Sequence, residues 1–519
     1  MLITLILLPI SFIPSVYVPS DMIKTIIVIF GTLLSAILYF FNAFKNKTLS
    51  IPRHPLFNIS FAIIISLVVS TLVSTNVLKS LFGRGFEIGT TGLLSIMFLS
   101  SLLSVFFIYK NNKRIKYLLG SVFLSFIIVS IFHIIRFVFG SDTLTFGVFK
   151  NGISTMLGSW NDLGLLAGVV SILSYLMIRY VKTTKLQNIS IKVLLAVSGI
   201  FILLVNSVSV WSITLITFIL IAVYEYSNSN LDIKGFKGVY KKVSVLLLVI
   251  IAISVVGLWQ GNRIAVNVTN KIGINQSEVY LPWQLTLDVT TATIKESPLF
   301  GVGPNRFGNQ FLKFKPLIIN QTQFWSTEFN DGFGLIPTFL ATQGIVGFIL
   351  WIALIIAFLV TGFKALKKKY DDQTKFYVLS TFLVSMFLWI STLVHVPSHS
   401  TLFLTFVLSG AFLALVLNSS NSAFIQFEKI KRFSLHRLVS AFTVIIIVFC
   451  ILSLAVYIKK TVALGYFHGG IGALNTQNSE SLLKAENNFK NALSMDKSDA
   501  YYQALSEVNI LKVTNLAQQ

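Results

Sequence analysis

Three arginines lie close to the ends of apolar segments, where a positive charge can meet an anionic group. Arg263 directly follows an apolar run, Arg306 comes just after a Gly-Val-Gly-Pro turn, and Arg136 lies near the end of another run, three residues after His133. A guanidinium group binds phosphate through two donors in a fixed fork, and a helix that begins at Pro304 would add backbone N–H donors. The alternative for Arg263 and Arg136 is an interfacial anchor, and the alternative for Arg306 is a plain surface charge.

Carboxylates close to the end of the long polar connection 261–332 are candidates for proton transfer. Glu328 and Asp331 come just before the next apolar run, and Glu278 lies earlier in the connection. A carboxylate within hydrogen-bonding reach of a hydroxyl group can act as a general base. The alternative for each is an ordinary solvated carboxylate of a loop.

Two histidines, His395 and His399, flank Pro397 and are four residues apart, so on a helix they would share one face. They could form a metal pair, but no third ligand with metal-like spacing accompanies them, and no metal or cofactor is expected. A substrate-orienting or pH-sensitive role and a structural role are the alternatives.

Two further positions carry polar or aromatic groups that could contact a ligand. Asn161 and Asp162 enter a predicted helix, where they either cap it or bind a sugar or a phosphate. Trp283 begins a predicted amphipathic helix over 283–296, which Ser297 and Pro298 should end. A second short helix from Pro304 would carry Phe307, Phe311 and Phe314 on one side.

The surroundings that must position these residues are those of a membrane protein. The chain has 519 residues, of which 55% are hydrophobic and only 12% are charged, whereas soluble domains are about 25% charged. A net charge of +22 could indicate nucleic-acid binding, but the basic residues occur in short clusters between apolar runs, as topology signals do. The single cysteine, Cys450, allows no disulfide within the chain.

About thirteen apolar segments are long enough to cross a bilayer, and we expect an all-α transmembrane bundle. They are 2–20, 23–42, 57–76, 91–109, 117–139, 161–180, 192–209, 211–226, 242–260, 333–360, 376–394, 400–418 and 438–458. The first is interpreted as a helix rather than a cleaved signal because no basic residue precedes it. Basic clusters occupy every second connection, at 45–53, 110–116, 179–192, 234–242, 364–375 and 429–437.

The positive-inside rule places those clusters in the cytoplasm. The N-terminus is then cytoplasmic, and the connection 261–332 and the C-terminus lie outside the cytoplasmic membrane. We expect a membrane domain over 1–460 and an extracytoplasmic helical segment over 461–519. In that segment the spacing of Ala485, Phe489 and Ala492 is typical of a tetratricopeptide repeat, which suggests a short array and a protein partner.

Three stretches together resemble the O-antigen ligase and O-antigen polymerase family. They are GSWNDLG at 158–164, IKESPLFGVGP at 294–304 and LATQGIVG at 340–347. The Ser-Pro-Leu-Phe-Gly turn is the most specific of them, and the resemblance covers roughly residues 90–420. Their order, their spacing and their predicted side of the membrane are those of the family.

The resemblance implies a GT-C-like helical fold and a glycosyltransferase that takes glycan from a polyprenyl-diphosphate carrier on the outer face. The acceptor would be another glycan or a lipid. Arg263, Arg306 and Arg136 would then hold the diphosphate, with Asn161 and Trp283 contacting substrate. An outer group such as Glu328, Asp331 or His399 would address the acceptor hydroxyl.

Two departures from the family pattern concern its chemistry. Family ligases carry a Ser-Arg pair near the outer end of a helix where this chain reads NSVSVW at 206–211, without arginine. They also tend to have a His-Asn pair where this chain reads DGFG at 331–334. A transporter or flippase for a lipid-linked or small solute, or a non-catalytic scaffold, therefore remains an alternative. The lack of a P-loop motif argues against an ATP-driven pump.

Overall fold

The computed structural model is helical and describes residues 1–13, 20–46, 50–83, 87–109, 111–149, 153–227, 243–271, 279–419, 424–426, 433–475 and 479–518. Helices α1 to α6 cover Leu2–Ile10, Ser20–Asn46, Pro55–Val73, Val77–Phe82, Thr91–Ile108 and Ile115–Phe139. Helices α7 to α12 cover Trp160–Tyr180, Lys185–Val205, Val208–Ser227, Val245–Lys271, Trp283–Glu296 and Phe307–Phe314. Helices α13 to α18 cover Leu335–Leu366, Asp372–Val394, His399–Asn418, Phe433–Leu474, Ser479–Met495 and Asp499–Gln518. Two short antiparallel strands, β1 (Ser50–Pro52) and β2 (Phe424–Gln426), pair with each other.

Among the described residues, eleven helices are long and apolar enough to cross a membrane: α2, α3, α5 to α9 and α13 to α16. The apolar part of α10, Val245–Gly261, is shorter. In lipid the backbone must satisfy its own hydrogen bonds, and a continuous helix does so. The expectation of a multi-pass helical membrane protein is therefore confirmed.

The N-terminal helix differs from the expected span over 2–20. α1 ends at Ile10, and nine residues at 1.5 Å each give about 13.5 Å, less than half of a hydrocarbon core of about 30 Å. The Met1 ammonium group donates to Ser35 Oγ at 3.2 Å, near the middle of α2. The Ser125 hydroxyl group donates to the Leu5 carbonyl at 3.2 Å, so α1 packs beside the spans instead of crossing as one of them.

A second difference concerns the boundary between the seventh and eighth expected segments. The sequence pattern placed it near residue 210, whereas α8 ends at Val205 and α9 begins at Val208. Asn206 adopts a left-handed conformation, with φ 47° and ψ 39°. Asparagine is one of the few residues that accept this geometry at a helix end.

Helix α13 is interrupted at Gly344, where φ is 69° and ψ is −170°. In an unbroken helix the N–H groups of Ile345 and Val346 would donate to the carbonyls of Ala341 and Thr342. Here they donate to Pro298 and Leu299, at 2.9 and 3.2 Å. The interruption therefore leaves two carbonyls without their usual helical donors.

The turn 297–304 supplies the missing partners. The N–H groups of Val302 and Gly303 donate to the carbonyls of Ala341 and Thr342 at 3.4 and 2.9 Å. Ser70 on α3 adds a bond from its hydroxyl to the Phe300 carbonyl at 2.7 Å. The turn thus replaces two bonds of a membrane helix with four bonds between the connection and that helix.

The rest of the connection folds onto this junction. The helix expected over 283–296 is present as α11, and the second begins at Phe307 instead of Pro304. Val289, Phe307, Phe311 and Ala341 are fully buried together in a small core of their own. This core attaches α11 and α12 to the first half of α13.

The C-terminal residues form a helical hairpin, α17 and α18, packed on the end of α16. Ala485, Phe489 and Val508 are fully buried, and Phe467 of α16 stacks near Tyr501 with ring centroids 4.9 Å apart. Asp496 accepts two bonds from Lys460 of α16, at 2.8 and 2.9 Å. The interpretation of this hairpin as part of a tetratricopeptide array stays a prediction.

We expect Gly344→Ala to destabilise the protein by about 3 kcal/mol or more. Its φ/ψ lie in a region that is almost restricted to glycine, at a cost of about 1–3 kcal/mol for other residues, and a Cβ there would meet the Leu299 carbonyl oxygen, which adds overpacking. Thermal unfolding of the purified protein measures the loss. Gly199→Ala on α8 is the matched control, because a Cβ there meets nothing within 4 Å. Equal melting temperatures of the two variants would contradict this account.

Candidate functional site

The beginning of α7 is fixed by a buried carboxylate, Asp162. Ser159 Oγ donates to Asp162 Oδ2 at 2.5 Å. Ser159 Oγ also accepts from the Asp162 N–H at 3.0 Å, as the N-cap of α7. The Ser398 N–H donates to both carboxylate oxygens, at 3.0 and 3.1 Å. Asp162 therefore joins α7 to the turn between α14 and α15, which is a structural role.

A lysine that the sequence analysis did not single out lies beside this carboxylate. Lys24 is 0% exposed, and its Nζ is 3.5 Å from Asp21 Oδ1. The Asp162 carboxylate also acts on it electrostatically. A buried ammonium group needs such partners because its desolvation is costly. The apolar residues around Lys24 gave no signal of this pairing, which joins positions far apart in the chain.

The two histidines do not share a helix face as their spacing suggested. His395 caps α14 in an extended conformation, with φ −152°, whereas His399 begins α15. His395 Nε2 lies 3.4 Å from Ser159 Oγ and 3.7 Å from Asp162 Oδ2. Because Ser159 donates directly to Asp162, these three residues lack the serine–histidine–aspartate order of a charge relay. His399 is buried, at 3% exposed, which places it away from an acceptor at the surface.

Aromatic side chains and one amide side chain form a surface next to His395. Asn161 Nδ2 donates to the Tyr280 hydroxyl group at 2.6 Å, and the Tyr280 ring packs edge-on against His395 with centroids 6.0 Å apart. Trp283 contacts Phe333 edge-on at 5.6 Å. Tyr280 and Trp283 remain 43% and 47% exposed, so both rings can meet a ligand. Tyr280 is a residue that the sequence analysis missed.

Backbone bonds hold the end of the connection next to this surface. The Leu335 N–H donates to the His395 carbonyl at 3.3 Å. Gly332 N–H donates to Thr338 Oγ1 at 2.9 Å, and Phe333 N–H donates to Thr286 Oγ1 at 2.8 Å. The position of the preceding residue, Asp331, is therefore set by α11, α13 and the turn after α14.

Asp331 is half-buried and faces a second carboxylate. Burial raises the pKa of the Asp331 carboxyl group to about 6, and the negative charge of Glu87 contributes to the same shift. Glu87 Oε2 in turn accepts a bond from Asn305 Nδ2 at 3.3 Å. A carboxyl group with a pKa near 6 is close to the value that suits a general base at neutral pH.

Arg306 lies one residue beyond Asn305, at the N-cap of α12. Its Nη2 donates to Thr75 Oγ1 at 2.9 Å, and the side chain is half-buried. The guanidinium group therefore lies at the surface, between the connection and the end of α3. A cation and a proton-accepting carboxylate thus come from the same connection.

We use the name loop-base cluster for five residues that belong to the connection 261–332 or bond to it: Asn161, Tyr280, Trp283, Asp331 and Arg306. Four of its members were expected from the sequence. It offers a cation for an anionic group, a carboxylate for a proton, and aromatic and amide groups for a polar ligand with apolar faces.

Four further candidates lie outside the loop-base cluster or outside the described residues. Arg136 is 2% exposed, and it donates to the carbonyls of Ser141, Phe149 and Ser154 at 2.8, 3.2 and 2.6 Å. It therefore organises the connection after α6, which argues against a substrate-binding role. Glu328 is exposed. Arg263 belongs to α10, but its side chain lies outside the described residues, as does the whole of Glu278.

The chain matches no protein-family model and no curated protein sequence.

Arg136→Ala should destabilise the protein by about 1–3 kcal/mol or more, because the buried Phe149 carbonyl loses a charged donor and a buried group left unsatisfied costs about 1–3 kcal/mol. The partly buried carbonyls of Ser141 and Ser154 lose the same donor. Thermal unfolding of the detergent-solubilised protein measures this loss. Arg114→Ala is the control, since Arg114 is exposed and donates to a single carbonyl, that of Phe107. Wild-type stability of the Arg136 variant would contradict the structural role.

Proposed function

We propose that this protein is a membrane glycosyltransferase that transfers or polymerises glycan from a polyprenyl-diphosphate carrier, as O-antigen ligases and polymerases do. The observation that carries the proposal is the loop-base cluster, in which Arg306 and Asp331 project from one connection at the boundary of the membrane helices. The turn between α11 and α12, which resembles the family most closely, holds that connection in place.

Arg306 is the proposed ligand of the diphosphate. Negative charge grows on a diphosphate leaving group in the transition state, and a preorganised cation lowers the barrier most when it is aimed at that charge. The bond from Arg306 to Thr75 fixes one side of the guanidinium group. Arg263, two residues beyond the apolar part of α10, is proposed as a second cation.

Asp331 is the proposed general base for the acceptor hydroxyl group. It occupies the position where family ligases tend to carry a histidine, and its pKa of about 6 is close to that of an unperturbed histidine, about 6.5. Burial and the charge of Glu87 thus give a carboxylate the titration range of the missing imidazole.

Asn161, Tyr280 and Trp283 are proposed to bind the glycan. Aromatic rings supply rigid apolar area, and the tyrosine hydroxyl and asparagine amide groups supply hydrogen bonds to sugar hydroxyls. Their partly exposed rings lie beside the end of the connection that carries Asp331, which would place a bound glycan near the proposed base.

The proposed setting is the cytoplasmic membrane, with the N-terminus inside and the connection 261–332 and the C-terminus outside. The reaction would belong to surface polysaccharide biosynthesis in the cell envelope. Residues 1–460 would form the transferase domain, and the helical hairpin of residues 461–519 would offer a surface to a protein partner.

Transfer is tested with purified protein in vesicles, a polyprenyl-diphosphate oligosaccharide and a range of acceptors, with the glycan products separated on a gel. We expect lengthened or transferred glycan. A flippase would instead move labelled lipid across the vesicle without any product. That outcome would overturn the transferase proposal.

Arg306→Ala and Arg263→Ala should each lower the rate of transfer more than tenfold, which corresponds to a rise of about 1.4 kcal/mol in the barrier. Lys315→Ala in the same connection is the control, and wild-type rates in both arginine variants would remove them from the site.

The rate of transfer should rise with pH through a midpoint near 6, because Asp331 acts as a base only when it is deprotonated. Glu87→Gln removes a negative charge that raises the pKa of Asp331, so the midpoint should move to lower pH. Asp331→Asn should lower the rate by about 10²- to 10⁴-fold at every pH. Initial rates between pH 4.5 and 8.5 measure both effects. A midpoint that is the same in Glu87→Gln and wild type would exclude Asp331 as the titrating group.

A further inference from the structure

A cavity of about 240 Å³ lies between α3, α5, α13, α14 and α15. At one end of α3 the helices are joined, since the Ser70 hydroxyl group donates to the Thr342 carbonyl at 3.1 Å and the hydroxyl groups of Thr71 and Thr91 are 2.6 Å apart. Further along, the cavity separates α3 from α5. The cavity therefore lies away from the end of α3 where these hydrogen bonds join the helices.

The cavity extends to the opposite ends of these helices. It is lined by Leu56 in the first turn of α3, Val105 in the last turn of α5 and Leu413 near the end of α15. All three positions adjoin connections with basic clusters. The cavity thus opens toward the side that the positive-inside rule assigns to the cytoplasm.

The lining suits a hydrocarbon chain. Apart from a few serines, it consists of apolar and aromatic side chains, including Phe57, Phe61, Phe98, Phe358 and Phe406. Phe61 is 59% exposed on the outer surface of α3, where lipid is the surrounding solvent. A chain can therefore enter sideways from the bilayer.

Cations surround the basic end of the cavity. Arg53 is exposed three residues before Leu56, and Arg114 donates one bond to the Phe107 carbonyl at 2.8 Å. Lys368 donates to Ser419 Oγ at 3.1 Å at the end of α15. The sequence contains no acidic residue in 42–60 or 105–120, which carry Arg53 and Arg114, whereas Asp371 and Asp372 follow Lys368 closely.

We propose that this cavity binds an anionic phospholipid of the cytoplasmic leaflet, with one acyl chain between α3 and α5 and the phosphate at Arg53 and Arg114. Basic pockets between membrane helices on the cytoplasmic side bind anionic headgroups by charge. The acyl chain comes from hydrocarbon and not from water, so the apolar lining holds it by van der Waals packing. The charge at the mouth selects an anionic lipid over a zwitterionic one. This site is separate from the loop-base cluster and does not depend on the proposed transferase activity.

The proposal is tested by native mass spectrometry of the full-length protein offered equal amounts of phosphatidylglycerol and phosphatidylethanolamine. We expect at least fivefold more phosphatidylglycerol to remain bound to the wild type. Arg53→Gln combined with Arg114→Gln should remove the preference without affecting the fold, because both side chains are exposed. Ser60→Trp, which fills the cavity, should lower the retention of both lipids.

Lys185→Gln and Ser190→Trp on α8 are the matched controls, since both positions are exposed and α8 does not line the cavity. Both should bind as the wild type does. Equal retention of the two lipids by the wild type, or an unchanged preference in the double arginine variant, would overturn the proposal. Displacement of phosphatidylglycerol by an equal amount of a polyprenyl phosphate would also overturn it, by assigning the cavity to that chain.

Discussion

Backbone hydrogen bonding at Gly344 is the constraint on which the connection 261–332 and its attachment to the bundle depend. A helix in lipid cannot leave N–H and carbonyl groups unsatisfied, because each would cost several kcal/mol. The interruption in α13 is tolerated only because the turn 297–304 gives two donors to Ala341 and Thr342 and accepts from Ile345 and Val346. Helix and turn are therefore stable together, and neither geometry would persist alone.

The same junction holds the connection 261–332 in a fixed position against the membrane helices. Once the turn is attached to α13, α11 and α12 can bury Val289 and Phe307 against Ala341. The connection then returns to the bundle at Leu335, where it bonds to His395. Asp331 and Arg306 lie on this held segment, so their positions relative to the membrane helices follow from the backbone bonds.

The charged side chains form two groups: buried ones that connect helices and half-buried ones that could contact a ligand. The residue type alone does not distinguish them. Asp162, Arg136 and Glu225 are buried and hydrogen-bonded to neighbouring elements; Glu225, for example, accepts from Tyr175 at 2.7 Å and from Arg179 at 3.1 Å. Such groups connect helices, since a buried charge is tolerated only with partners. Asp331 and Arg306 are half-buried and face the surface. The environment of a charged residue, more than its type, therefore distinguishes the candidate site residues from those with a structural role.

The sequence by itself determined the membrane-spanning character of the chain, most of its spans, α11, and a turn near Gly301 and Gly303. A span needs a long enough apolar segment, and a turn needs particular local residues. Both features therefore depend on residues that are adjacent in the sequence. It did not determine that α1 stops at Ile10, because an apolar run shows where a helix can lie and not where tertiary contacts end it.

Only the tertiary structure decided which polar residues are structural. The bond between Asp162 and Ser398 joins residues 236 positions apart, and that between Asn305 and Glu87 joins residues 218 positions apart. No local pattern encodes such pairs. Arg136, His399 and Asp331 looked alike in the sequence as polar residues near membrane boundaries. Packing buried the first two and left Asp331 half-buried beside a like charge, because burial and pKa depend on neighbours that the folded chain brings together.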